Sequence, residues 1–153
     1  MQFQIVSYDR SERVYNVFDP HSGELADTFP RGINGKRAAF QLAVKLRKPQ
    51  LHQLATDWIA QSPELESRIW KACQIVLDNH VLPAFSMQHL AVVKSQSSVF
   101  GDYNIAMRDQ MLQCECPDFE SFAAPMVGEN MQPMCKHLIA YVMHAKIQQE
   151  IPA

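Results

Sequence analysis

An α+β chain is predicted by three features of the sequence. Three short β-prone runs open it, apolar residues at helical spacing occupy residues 36 to 82, and two further strand-like runs lead into clustered cysteines and a histidine that open a last helix. In chain order this predicts a small N-terminal three-stranded antiparallel sheet with a helix over 1–48, a helical hairpin or linker over 49–87, and a C-terminal ββα module over 88–153. A chain of 153 residues is long enough for one sizeable core, or for one small domain plus a second that needs support.

The N-terminal runs are "FQIVSY", "RVYNVF" and "ELADTF", separated by the turn-forming stretches "DRSE" and "DPHSGE". Apolar residues occur at both parities, so one face of the sheet should be covered and the other aromatic, through Tyr8, Tyr15 or Phe18. The carboxylates of Asp9, Glu12, Asp19 and Glu24 fall in the turns, where such groups commonly bond backbone N–H. "RGING" then breaks the chain, and a helix is expected from about Lys36 to Arg47. Its stripe of Ala39, Leu42, Ala43 and Leu46 is the natural cover for the sheet.

Pro49 suits the first turn of a second helix, where its missing N–H costs nothing. Leu51, Leu54, Ala55, Trp58 and Ile59 give that helix a face. "QSPELES" starts a third, with Ser62 as N-cap and Pro63 at the first position, and Leu65, Ile69, Ala72 and Val76 as its stripe. With only Arg68 and Lys71 as basic residues, this helix is poorly equipped to read DNA. Cys73 sits in its apolar pattern as a small core residue.

From about Gln88, "HLAVVKSQ" and "YNIAMRDQML" read as two strands joined by "SSVFGD". The second runs into "CECPDFESFAAPMVGENMQPMCKH", which holds three of the four cysteines. A helix follows through Leu138, Val142, Ala145 and Gln149, with Ile139 and Met143 beside them. Side chains two apart on an extended segment point the same way, so Cys114 and Cys116 can face one ion. Cys135 and His137 lie in a tight turn at a helix start, whose N-terminus favours a thiolate. Two chelating pairs close one tetrahedron, and four thiolate and imidazole ligands make a structural zinc site, since a catalytic one keeps an open position. Glu115, Asp118, Glu120 and Glu129 lie nearby as surface residues, because four soft ligands already complete the shell. The single histidines His80, His89 and His144 form no second set.

The pattern C-x-C, a loop of eighteen residues, then C-x-H, with "CECPDF" before the loop and "CKHLIAYV" after it, resembles the SWIM zinc-binding domain over roughly residues 88–150. That resemblance implies one structural Zn²⁺ held by Cys114, Cys116, Cys135 and His137. It also implies a DNA-binding or protein-interaction module, because SWIM domains occur in helicases, transposases and transcription factors. The sequence carries no phosphate-binding Gly-Lys loop and no room for a nuclease domain, so a stand-alone accessory protein or a subunit is expected.

Charge bears on partners. The formal net charge is −2, yet residues 1–48 hold eight Lys/Arg against five Asp/Glu, residues 49–87 two against four, and residues 88–153 four against seven. Arg10, Arg13, Arg31, Lys36, Arg37, Lys45, Arg47 and Lys48 are therefore the candidate contacts to DNA or another nucleic acid. In architecture alone the sheet and basic helix resemble the arm-type DNA-binding domains of some integrases. The first reading also allows a protein partner within a nucleic-acid-processing complex; the alternative is a protein-interaction adaptor with no direct nucleic-acid contact, with Met126, Met131 and Met134 as its adaptable surface. No catalytic constellation can be assembled, so an enzyme is not expected. No signal peptide and no run long enough to cross a bilayer is visible, which points to the cytoplasm, or the nucleus in a eukaryote, and away from membrane partners. Reduced thiols there favour a metal over a disulfide.

Overall fold

The computed structural model describes residues 6–95, 101–120, 126–127 and 132–150, with Met126, Val127 and Glu150 as backbone only. Among the described residues it is a mixed α+β architecture with a three-stranded, a four-stranded and a two-stranded sheet and five α-helices. The chain divides into two compact units, Met1–Gln53 and Leu54–Ala153.

In the first unit, β1 (Val6–Asp9), β2 (Val14–Phe18) and β3 (Leu25–Pro30) form an antiparallel sheet in the order β1-β2-β3. Its turns are built by aspartates. Asp9 Oδ1 accepts the Ser11 and Glu12 N–H groups and the Ser11 hydroxyl at 2.9, 3.1 and 2.8 Å. Asp19 Oδ1 accepts the N–H groups of His21 and Ser22 at 2.7 and 3.2 Å. These bonds favour the ionised form, and both carboxyls titrate below their ordinary value: for Asp9 the Ser11 hydroxyl contributes most, for Asp19 the His21 N–H. α1 (Ile33–Arg47) covers the sheet, and Val17, Ala39 and Ala43 form a core to which Val6, Tyr15, Phe29, Leu42 and Leu46 add.

The aromatic residues differ from the expectation. Tyr8 pairs with Tyr15, and Tyr15 with Phe29, so these rings share the helix-covered face with Val17. The open face carries Ser7, Asn16 and Thr28 in one row across the three strands, and Thr28 Oγ1 donates to Asn16 Oδ1 at 2.9 Å. The small alanines of α1 leave room under the helix for Tyr15 and Phe29, while Tyr8 stays exposed at the edge.

α1 also begins one turn earlier than its apolar stripe suggests, because Gly32 at φ 121° starts it without a side-chain cap. Gly35 then rests on the end of β3, where an added Cβ would overlap the Pro30 carbonyl. Alanine normally favours a helix interior by about 1 kcal/mol over glycine. Here Gly35→Ala is expected to do the opposite and destabilise this unit by about 1–3 kcal/mol, as overpacking does. Amide exchange across β1–β3 and α1 reads the change, and unchanged protection would refute the close approach.

α2 (Pro49–Gln61) spans the division between the units. A short 3-10 turn at Pro63–Leu65 leads into α3 (Glu66–Leu77). Ser62 does sit at the N-cap with Pro63 behind it, but its hydroxyl makes no capping bond. Four strands follow: β4 (Val81–Pro83), β5 (Ala91–Lys94), β6 (Asp102–Arg108) and β7 (Met111–Cys114), ordered β4-β5-β6-β7 and antiparallel throughout. The expected ββα module is thus larger. Val81–Pro83, too short to signal a strand, gains its identity by pairing with β5. The run "YNIAMRDQML" is two strands, folded at Asp109 and Gln110, whose φ angles of 51° and 65° suit a two-residue hairpin loop. Asp-Gln lacks the glycine that usually announces such a loop. Most of the predicted "SSVFGD" connection, residues 97–100, lies outside the described residues.

Past β7 come α4 (Pro117–Glu120), β8 (Met126–Val127), β9 (Gln132–Pro133) and α5 (Lys136–Glu150). The main helical partner of α3 is α5, so the predicted hairpin of the two middle helices is not the packing that organises this unit. α5 also packs on β4, β5 and β7. Held between a sheet and a helix, it needs more than one apolar stripe. Leu138, Ile139, Ala140, Met143 and Ile147 are all buried, whereas Val142 and Ala145 of the expected stripe are half-exposed.

Candidate metal centre

The four-stranded sheet and α5 bring the two chelating pairs together. β7 ends at Cys114, which pairs with the buried Ile105 on β6. Cys116 lies just past the strand and starts α4, its carbonyl accepting the N–H groups of Phe119 and Glu120 at 3.1 and 3.0 Å. Cys135 precedes α5 and His137 lies in its first turn. The segments are tied by Gln132, whose Oε1 accepts the Leu112 N–H of β7 at 2.9 Å. An exposed ion pair, Arg68 Nη1 to Asp118 Oδ2 at 3.0 Å, links α3 to α4 and is worth less than about 1 kcal/mol.

Cys114, Cys116, Cys135 and His137 are all buried, and one ligand atom from each lies within 4.8 Å of every other. A tetrahedral ion with bonds of about 2.0–2.3 Å sets its ligand atoms roughly 3.5–4 Å apart, which this cluster accommodates. Neither ring nitrogen of His137 has a hydrogen-bond partner although the ring is only 5% exposed. A buried polar atom without a partner is costly, and a metal ion bound at one nitrogen would remove that cost there. Tyr103 of β6 packs against the imidazole, ring centroids 4.8 Å apart at 57°.

The electrostatics agree with a cation. With no ion among them the three thiols share charge unequally. Contact with the Cys114 and Cys135 thiols holds Cys116 far below the usual thiol range, while contact with Cys116 and Cys135, together with burial, drives Cys114 far above it. Cys135, which the Cys114 thiol acts to lower, is nonetheless pushed up to about 11 by Cys116 and burial. Hydrogen bonding among the three sulfurs sets these directions, and a divalent ion would favour the thiolate form of each. Backbone donors already face the sulfurs. The Cys116 N–H lowers Cys114, the Phe119 N–H lowers Cys116, and the Leu138 N–H lies 3.5 Å from Cys135 Sγ.

Cys73 stands apart in α3, fully buried, its thiol pushed up to about 12 by burial. Of the nearby oxygen donors, Glu115 is bonded by the Asn104 N–H at 3.2 Å and Asp118 by Arg68. Glu129 lies outside the described residues. Gln132 and Tyr103, which position the second chelating pair, carry no local pattern that would single them out in the sequence.

The eight basic candidates all fall in the first unit, apart from the Cys/His cluster in the second. Seven are exposed and Lys48 is half-buried. Of the methionines proposed as a contact surface, Met134 is half-buried and lines an apolar groove with Trp58, Leu65, Ile69, Ile139 and Val142. Met131 is not among the described residues, nor is the side chain of Met126. No helix among the described residues is long and apolar enough to cross a membrane. Protein-family models, curated proteins and solved structures gave no match to this chain.

Proposed function

We propose that this chain is a small, non-catalytic zinc-binding accessory protein in which a SWIM-type metal module accompanies a nucleic-acid-binding sheet and helix, acting alone or within a nucleic-acid-processing complex. The observation that carries the metal half is the buried Cys3His set with both nitrogens of its imidazole unpartnered. Three thiolates and one imidazole suit Zn²⁺ better than a hard, oxygen-seeking cation. Four protein ligands leave no open position, so the role is structural. C-x-C at a strand end and C-x-H at a helix start support the SWIM assignment.

The nucleic-acid half is supported by charge. Met1–Gln53 holds eight Lys/Arg against five Asp/Glu, whereas Leu54–Ala153 holds six against eleven. A DNA ligand would meet the first unit, and the acidic second unit would face a protein. The test is metal analysis of the purified chain, followed by titration of the zinc-loaded protein with DNA at several salt concentrations. One zinc per chain and an affinity that falls steeply with salt are expected. Metal-free folded protein would overturn the first half, and absence of nucleic-acid binding at low salt the second.

One observation favours the adaptor as a second reading. Phe85, Met87, Leu90 and Met107 are exposed apolar residues, the first three in the connection from β4 to β5 and the last on β6. Leu90 N–H donates to the Ile105 carbonyl at 2.7 Å, which holds the end of that connection beside β6. An apolar surface of this kind suits a protein partner.

A further inference from the structure

We propose that the basic end of the first unit is a contact for the phosphate backbone of a double-stranded nucleic acid, made by five of its eight basic residues: Arg10, Arg13, Arg31, Lys36 and Arg37. The inference rests on the nucleic-acid reading above and narrows it. Three separate segments supply these residues, and the strand register gathers them. Arg10 and Arg13 lie in the turn from β1 to β2. Val14 pairs with Pro30, and the Arg31 N–H donates to the Arg13 carbonyl at 3.2 Å, so Arg31 joins the same end of the sheet. α1 starts two residues later with Gly35 against Pro30, which places Lys36 and Arg37 there too.

Local charge separates these five from the other three. Beside the five stand only Asp9, engaged in its turn, and Glu12, and the first turn of α1 holds no acid. Lys45, Arg47 and Lys48 lie about 14–18 Å further along α1 at 1.5 Å per residue. There Leu46 packs on the core of Val17, Ala39 and Ala43, which Val6, the β1 partner of Val17, also joins, toward the sheet end that carries the Asp19–Glu24 turn. The near end has a surplus of cations and the far end meets its own acids.

The sheet favours a duplex over a single strand. Proteins that hold single strands stack bases on exposed aromatic rings. Here Tyr15 and Phe29 pack under α1, Tyr8 lies against Tyr15 with centroids 5.0 Å apart, and the open face presents the small polar row Ser7, Asn16 and Thr28. Cations in a fixed array match the regular phosphate spacing of a helix, and among the described residues of this unit Tyr8, 42% exposed, is a lone ring and not a platform for successive bases.

The experiment titrates the full, zinc-loaded chain with a short mixed-sequence duplex and with one of its strands, by fluorescence anisotropy across a salt series. If each of the five cations neutralises one phosphate, log K falls against log salt with a slope of about −4.5, so doubling the salt weakens binding about twentyfold. Replacing all five (Arg10→Gln, Arg13→Asn, Arg31→Gln, Lys36→Gln, Arg37→Gln) should remove most of that slope, while Lys45→Gln/Arg47→Gln/Lys48→Gln leaves it nearly intact. Asparagine is chosen at Arg13 because φ there is 56°, a conformation asparagine tolerates. Circular dichroism confirms that each variant is folded, and the single variant Lys36→Gln should lower the slope by about 0.9 without disturbing any buried group. Duplex binding that survives the five replacements, or is lost in the far-end variant, overturns the assignment of the site. A single strand bound as tightly as the duplex overturns the choice of ligand. If the unaltered chain binds neither, it is the nucleic-acid reading itself that fails.

Discussion

Chelation of the zinc-loaded protein is expected to unfold Leu54–Ala153 while β1–β3 and α1 keep their structure. The reason is one of magnitude. Structural zinc contributes about 10–16 kcal/mol in small finger modules near neutral pH, and an entire domain is typically stable by about 5–15 kcal/mol. The ion's removal would leave Cys114, Cys116, Cys135 and His137 buried together, with both imidazole nitrogens lacking a hydrogen-bond partner. The ends of β7 and α5 meet at this cluster, and α5 carries the packing to α3, β4 and β5. Loss should therefore spread through the second unit. The first unit has its own core of Val17, Ala39 and Ala43. Amide spectra with and without chelator measure both. An unchanged spectrum in the second unit would end the structural-metal reading.

Cys135→Ala is expected to have the next largest effect, lowering metal affinity by orders of magnitude and loosening the first turn of α5. Cys135 has two roles. Its sulfur is one of the four candidate ligands, and it accepts the Leu138 N–H while its carbonyl accepts that of Ile139. Alanine keeps the backbone bond and removes the sulfur, leaving Cys114, Cys116 and His137. Three ligands can still hold a zinc ion with water in the fourth place, so weak binding is compatible with this expectation and unchanged affinity is not. Cys73→Ala is the control. That thiol is fully buried in α3 away from the cluster, and its loss should cost about 1 kcal/mol while metal content stays at one per chain. Competition with a chromophoric chelator gives the affinities, and amide exchange at Leu138 and Ile139 reports the helix start.

Where local pattern and tertiary packing coincide, the sequence is readable. The stripe of Ala39, Leu42, Ala43 and Leu46 needs one buried face and has one. Asp9 and Asp19 close their turns through bonds to residues two and three positions on, so sequence proximity suffices to anticipate them. The C-terminal half is harder for a physical reason. Val81–Pro83 is a strand only through its pairing with β5, Asp109–Gln110 folds back because β6 and β7 pair on either side, and α5 is buried on several sides. None of these leaves a period in the local sequence.

By itself the sequence determined the mixed α+β class, the four metal-ligand candidates and the concentration of positive charge in the N-terminal third, since residue type and short spacing decide each of them. Only the tertiary structure decided that the four ligand atoms converge, that the rings of Tyr15 and Phe29 pack under α1, and that five basic residues from three segments share one end of a sheet. These outcomes depend on strand register and helix packing between residues far apart in the chain, and no local spacing encodes them.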